Sequence, residues 1–453
     1  MPNEKIFISG ASARNFITAL IIVSVIAVGL YLRIEMANKT VVFKPIMKDA
    51  AEYYHYAYNL EKYGVYSRQG PSQIEEFIPE PDARRTPGYS LFLLPFIKIS
   101  PLQKMVGFVV VSQAIISSLT IFIAFIFFRT FLNCPWALGG AFLVAISPHL
   151  VAFNIYVLSE SLFTFFLTLL GWAMSAVAQN KGRLHALIAG LILGISLLIR
   201  PTMLYFIAFL IPVFFIFFQN KKAWVLAVFL IVGFSATYGP WVLRNKLVNP
   251  SKSRLALVTI HKGMYPNLIY NNDFKTYGFP NHFDPQWTKR RDMPSVLKEI
   301  FRRFSSEPLK YLYWYTIGKP TMFFSWDMIV GMGDIFIYPV STSPYHHHNG
   351  FFGLTHQLMK SLHGLLTVIA LATSIFIWFP GTSRLLAKEG LIVARFISLI
   401  MIYFILVHIV GTPLPRYSVP LRPFIYGLSI LGIRLIVTEG LKYSQIIQRK
   451  KIY

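Results

Sequence analysis

The chain has 453 residues, 55% of them hydrophobic and only 14% charged. A soluble domain carries about 25% charged residues, so an ordinary soluble protein is excluded and an all-α polytopic membrane protein is indicated. The formal charge of +24 comes from Lys and Arg scattered between apolar stretches. That pattern points to membrane lipids as partners and to no nucleic acid, which would be met by one basic stripe. Cys134 is the single cysteine, which rules out an internal disulfide and a cysteine-based metal cluster.

About 20 apolar residues cross a bilayer core. On that measure the chain has about ten spans, near 15–34, 104–128, 135–155, 158–178, 184–199, 201–218, 223–243, 354–379, 391–410 and 421–437. The first is long enough to span and is followed by no small-residue cleavage site, so it reads as a span and not as a removable leader. The apolar pieces 89–99 and 311–326 are too short or too interrupted to cross and read as interfacial or re-entrant. The short basic loops Lys181-Gly182-Arg183, Lys221-Lys222 and Arg384 with Lys388, and the tail Arg449-Lys450-Lys451, all fall on one side. Short basic loops stay cytoplasmic, which places both termini there and puts 48–89 and 244–352 on the outer side. Three regions follow: a transmembrane module 1–243 that includes the first outer loop 35–103, a mixed outer segment 244–352, and C-terminal helices 353–453. No paired halves are visible, which disfavours the common transporter folds.

The polar residues gather at the outer end. Asp49, Tyr53 and Tyr56 are spaced to share one helix face, and a carboxylate there can accept a proton or hold a metal. The simpler role for Asp49 is to start the helix. Arg84-Arg85-Thr86-Pro87-Gly88-Tyr89 offers two guanidiniums on a tight bend, suited to phosphate or to lipid headgroups. Ser147-Pro148-His149, Ser159-Glu160, Arg200-Pro201-Thr202, Trp241 with Arg244-Asn245, and Arg416-Tyr417 fall on the same face. An acid inside a span is expensive, which makes Glu160 a functional candidate. His346-His347-His348 reads as a solvated loop, because consecutive histidines diverge. No phosphate-cradling glycine loop, nucleotide fingerprint or nucleophile elbow is present.

Taken together, these residues resemble the GT-C superfamily of membrane glycosyltransferases, in the bacterial branch related to protein O-mannosyltransferases and lipid A aminoarabinose transferases. The matching positions are Asp49, Tyr53, Ala57, Gly64, Tyr66-Ser67, Arg85, Pro87-Gly88-Tyr89, Ser159-Glu160, Arg200-Pro201-Thr202, Pro240-Trp241, Arg244-Asn245, Arg416-Tyr417, Pro420 and Pro423. The resemblance implies a GT-C-like fold in a bacterial inner (plasma) membrane, with the active site on the outer face. It implies a hexosyl- or pentosyltransferase that moves a sugar, with inversion, from a polyprenyl-phosphate-linked donor to a lipid, glycan or protein acceptor. Asp49 matches the family's base. Arg85 matches a phosphate-binding lysine, with Arg84, Arg200, Arg244 and Arg416 as further donor-phosphate ligands and Tyr53, Tyr89, His149, Glu160 and Tyr417 as the supporting pocket. A divalent cation, Mg or Mn, if used, would sit on Asp49 and Glu160. Arg84 and Glu52 depart from the aminoarabinose branch, which has a glutamate and an arginine at those positions. Alternative readings are a lipid-linked oligosaccharide polymerase or ligase, and a lipid-linked sugar flippase or transporter.

Overall fold

The computed structural model describes residues 10–70, 78–179, 182–218, 220–248, 250, 254–266, 268, 280–329, 332–346 and 350–450. Inside a bilayer every backbone polar group must be satisfied by the chain itself, so long apolar runs become helices. The amino-terminal half contains α1 (Gly10–Lys39), α2 (Asp49–Tyr63), α3 (Gly88–Leu93), α4 (Leu102–Phe128), α5 (Cys134–Ile146), α6 (Pro148–Ala152), α7 (Glu160–Ala178), α8 (Arg183–Ile199), α9 (Phe206–Phe217) and α10 (Asn220–Val248). The segment 244–352 carries α11 (Leu255–Gly263), α12 (Met293–Ser306), α13 (Pro308–Tyr313) and α14 (Lys319–Phe323). The chain closes with α15 (Gly350–Phe376), α16 (Lys388–Val410) and α17 (Arg422–Lys450).

Seven described helices are long and apolar enough to cross a membrane, and the bent pair Cys134–Ile146 with Pro148–Ile155 makes an eighth. The shorter apolar helices Arg183–Ile199 and Phe206–Phe217 account for the remaining two of the ten expected segments. The 46° bend falls at Pro148, which lacks the N–H that would continue α5. The pieces expected to be too short to cross are short helices: α3 with the 3-10 turn Leu94–Phe96, and α13 and α14 joined by the π turn Trp314–Gly318. A two-stranded antiparallel ribbon, β1 (Val41–Val42) with β2 (Val340–Thr342), ties the loop after α1 to the segment 244–352.

One buried cation was not singled out in the sequence. Arg33, fully buried near the end of α1, donates to the carbonyls of Val144 and Ala145 at the carboxyl end of α5, to Gly29 O and to Ser117 Oγ. A charge in this apolar setting is tolerable because four acceptors receive it and a helix carboxyl end carries partial negative charge. It locks α1, α4 and α5 together.

Candidate active site

The site forms where several spans end or begin on one side of the bundle: the carboxyl ends of α1, α8 and α16 and the amino end of α7. Asp49 is the first residue of α2, entered from Lys48 in the left-handed region (φ 51°). Its Oδ1 accepts from Arg85 Nη2 at 2.7 Å, and its Oδ2 lies 3.0 Å from Arg416 Nη1. Arg416 sits on the 3-10 turn Pro415–Leu421 and donates Nε and Nη2 to Glu160 Oε1 at 2.9 and 2.7 Å. Arg200 Nη1 reaches the same oxygen at 2.9 Å. The result is a continuous row, Arg85–Asp49–Arg416–Glu160–Arg200, drawn from positions 367 residues apart in the chain.

Glu160 is 0% exposed, so the guanidiniums are what make its charge tolerable there. For Asp49, burial pushes the carboxyl pKa up, but Arg416 and Arg85 outweigh it and hold the group well below the usual range. Glu52, one turn along α2, accepts from Arg85 Nε at 2.6 Å through Oε2. Its Oε1 lies 3.2 Å from Arg84 Nε and 3.8 Å from Arg68 Nη1. Aromatic faces fix the guanidiniums from the other side. Arg85 lies over Tyr53 at 5.2 Å, and Tyr417 receives Arg200 at 5.2 Å and Arg416 at 5.7 Å. Tyr53 also bonds Ser159 Oγ, and Tyr89 packs edge-on against Tyr53 while donating to Gln113 Oε1.

Pro87-Gly88 has a steric purpose. A Cβ on Gly88 would fall 2.7 Å from the backbone of Leu198 and Ile199, so only glycine lets the loop lie against the end of α8. That approach brings Arg85 to the turn that carries Arg200.

Two expected members stand apart from this row. Arg244 donates to the carbonyls of Asp82 and Tyr66 and packs over Trp241 and Tyr66, which makes it a brace for the first outer loop. His149 bonds the Trp326 carbonyl at 2.8 Å and lies in a separate cluster with His363, itself bonded by Arg422. Tyr56 supports the row from behind: its hydroxyl donates to Asp82 Oδ1 and accepts from the Arg85 backbone N–H. His346 packs against Phe336, while His347 and His348 lie outside the described residues.

Lys262 and Tyr338, both from the segment 244–352, lie within electrostatic reach of the row, which the sequence did not reveal. Burial and the charge of Arg84 lower the Lys262 pKa, while Asp49 opposes them. Tyr338 feels Arg416, Asp49 and Glu160. Neither sits in a recognisable motif, because the site is built from the first loop and a segment some two hundred residues later. Gly263 fixes Lys262 in place: a Cβ there would meet Gly411 O at 2.0 Å, so α11 docks tightly on the end of α16.

The row does not suit a divalent cation. The oxygens of Asp49 that a metal would need already face guanidiniums, and Arg416 stands between Asp49 and Glu160. Among the described residues, no three His, Cys, Asp or Glu side chains converge on one point.

Comparison with known proteins finds a family similarity over part of the chain and a similar fold over most of it. Residues 85–241 match the family model described as dolichyl-phosphate-mannose-protein mannosyltransferase. Among solved structures, the Archaeoglobus fulgidus oligosaccharyltransferase with a tethered acceptor peptide is similar at TM-score 0.50 and 15% identity, covering 94% of this chain and 50% of that one. The chain therefore spans about half the length of that enzyme. The same organism's AglB with a dolichol-phosphate scores 0.47 at 14% identity, covering 96% of this chain and 52% of that one. ArnT from Cupriavidus metallidurans, bound to undecaprenyl phosphate, scores 0.41 at 10% identity, covering 93% of this chain and 77% of that one. The comparison with curated proteins found no match. The similarity to that mannosyltransferase family is thus carried by residues 85–241, and the fold of this multi-pass chain is similar to that of the oligosaccharyltransferase.

Proposed function

We propose that the chain transfers a sugar from a polyprenyl-phosphate carrier to a hydroxyl acceptor on the outer face of a bacterial inner membrane, with inversion at the anomeric carbon. The observation that carries this reading is a carboxylate set into a row of guanidiniums at one end of an apolar bundle. With Arg68 balanced by Asp82 and left aside, Arg84, Arg85, Arg200, Arg416 and Lys262 face Asp49, Glu52 and Glu160, leaving an excess of two positive charges. The linked donor is a phosphodiester of one negative charge, and the polyprenyl phosphate released on transfer is a monoester of about −1.5 to −2 near neutral pH, so the excess suits the leaving group and the charge that builds up as it forms. The description of the matched family, which names a dolichyl-phosphate sugar, points to the same donor chemistry.

In this reading the carrier's tail lies along the spans while its phosphate meets Arg85 and Arg416, with Arg200 and Lys262 adding charge. Asp49 takes the acceptor's proton as the hydroxyl oxygen attacks the anomeric carbon. The carbon–oxygen bond to phosphate breaks, and the leaving phosphate departs into the arginine-rich pocket without needing a separate acid. The experiment is transfer by purified protein supplied with a panel of polyprenyl-phosphate sugars and candidate acceptors, read as release of polyprenyl phosphate. Glycosylated product from wild type and none from Asp49→Asn supports the reading. Transfer that survives Asp49→Asn would favour a polymerase or ligase that works through arginines alone.

A further inference from the structure

Asp82 lies outside the row of charges and is buried, and its carboxylate is filled by the chain around it. Oδ1 accepts from the Tyr56 hydroxyl and, at 2.9 Å, from the Arg84 N–H, while Oδ2 accepts from the Arg68 N–H at 2.9 Å. The main chain of Asp82 is held as well. Its N–H donates to Tyr66 O at 3.1 Å, and its carbonyl accepts from Arg244 Nη1 at 3.0 Å. Tyr56 passes this anchorage on: the oxygen that donates to Asp82 also accepts from the Arg85 N–H at 3.3 Å. Its ring is fixed by stacking on Tyr66, with centroids 4.2 Å apart. Asp49, Glu52 and Tyr56 stand at i, i+3 and i+7 on α2 and so form one stripe of the helix. Arg85 is laid along that stripe, with its main chain on Tyr56, Nε on Glu52 and Nη2 on Asp49.

We propose that Asp82 and Tyr56 are positioning residues of the site. The Asp82 carboxylate orients the Tyr56 hydroxyl, which holds the Arg85 main chain in register with Asp49 and so sets where the donor phosphate lies relative to the base. This rests on the donor reading above and deepens it. Neither residue touches substrate; both act through Arg85. The guanidinium is a rigid planar fork, so its reach is set by where its main chain is fixed. Register matters because a misplacement of about 1 Å is enough to slow a reaction on the order of a hundredfold. A tyrosine that served only to fill the core would need its ring alone. Here the hydroxyl bridges a buried carboxylate and the amide of a site arginine.

The test titrates the purified full chain with undecaprenyl phosphate, the kind of carrier released in that reading. Binding is read by native mass spectrometry, and a melting temperature is recorded for every variant. Tyr56→Phe keeps the ring and its stacking and removes only the hydroxyl. It should bind the lipid on the order of tenfold more weakly, the worth of one guanidinium–phosphate hydrogen bond lost to misplacement. In an Arg85→Ala background the same substitution should change binding by less than about twofold, because the residue it positions is gone. Asp82→Asn still offers an oxygen to Tyr56 and to the Arg84 N–H, so it should recover most of the affinity that Asp82→Ala loses. Where Asp82→Ala does not fold, Tyr56→Phe with and without Arg85 decides alone. Tyr56→Phe at wild-type affinity overturns the positioning role and leaves the donor reading standing. An equal loss with and without Arg85 does the same, since it marks a general loosening of the fold. Arg85→Ala at wild-type affinity, or a wild type that retains no lipid, overturns the donor reading and the positioning role with it.

Discussion

Glu160→Gln puts the packing argument at its most exposed point. Glu160 is 0% exposed, and one of its oxygens accepts two hydrogen bonds from Arg416 and forms an ion pair with Arg200, with both arginine side chains only 11–12% exposed. Removing one partner of a buried ion pair costs about 3–5 kcal/mol, mostly because the other charge is left uncompensated. The two arginines do not suffer equally. Arg416 keeps Asp49 at 3.0 Å, whereas Arg200 is left with the rings of Phe163 and Tyr417. Since glutamine still offers a carbonyl, the lower end of the range applies, about 3 kcal/mol. Equilibrium unfolding of the ligand-free protein in detergent measures it. The double variant Glu160→Gln/Arg200→Gln should lose less than the two single losses combined, because it removes the orphaned charge with its partner. A Glu160→Gln protein within about 1 kcal/mol of wild type would refute the claim that this carboxylate holds the arginine row together.

Asp49→Asn should cut transfer between about a hundredfold and ten-thousandfold, the usual share of a general base, while leaving the protein folded; steady-state rates at saturating donor check this. Arg85→Ala should raise the donor KM more than the acceptor KM, and a change confined to the acceptor would remove Arg85 from the phosphate site. Gly88→Ala forces a methyl to 2.7 Å from the α8 backbone and should cost about 1–3 kcal/mol along with activity, since Arg85 must shift relative to Arg200. Lys319, outside the spans and 0% exposed, donates to Ile409 O and Gly411 O, and burial lowers its pKa to about 6. The unfolded chain then binds one more proton between pH 6 and 10.5. Wild-type stability relative to Lys319→Met should therefore rise with pH across that window, by up to about 1.4 kcal/mol per unit. A flat difference between pH 7 and 9 would mean that the lysine stays charged.

The spans were legible because apolar runs of bilayer length have few other uses, and all ten expected segments correspond to helices. Half of the site was legible as well. Asp49, Arg85, Glu160, Arg200 and Arg416 each look out of place beside an apolar run, and the fold brings those five into one row. What the sequence hid was pairing. Glu52 reads as a departure from a motif until it is seen anchoring Arg85, and Lys262 has no local signal because its neighbours, Arg84 and Asp49, lie roughly two hundred residues earlier in the chain. Arg244 and His149 show the converse: a polar residue at a span end on the correct side can still belong to a separate hydrogen-bond cluster a few residues away. Nearness to a span end can be read from the sequence, but the partner found there cannot.

The central claim, that this row moves a sugar off a polyprenyl phosphate, is tested most directly in cells making either wild type or Asp49→Asn in equal folded amounts. Mass spectrometry of the polyprenyl-phosphate sugars and of the surface glycans gives the readout. The account predicts that one polyprenyl-phosphate-linked sugar accumulates in the Asp49→Asn cells while one glycosylated surface species disappears. Identical lipid and glycan profiles in the two strains would contradict it.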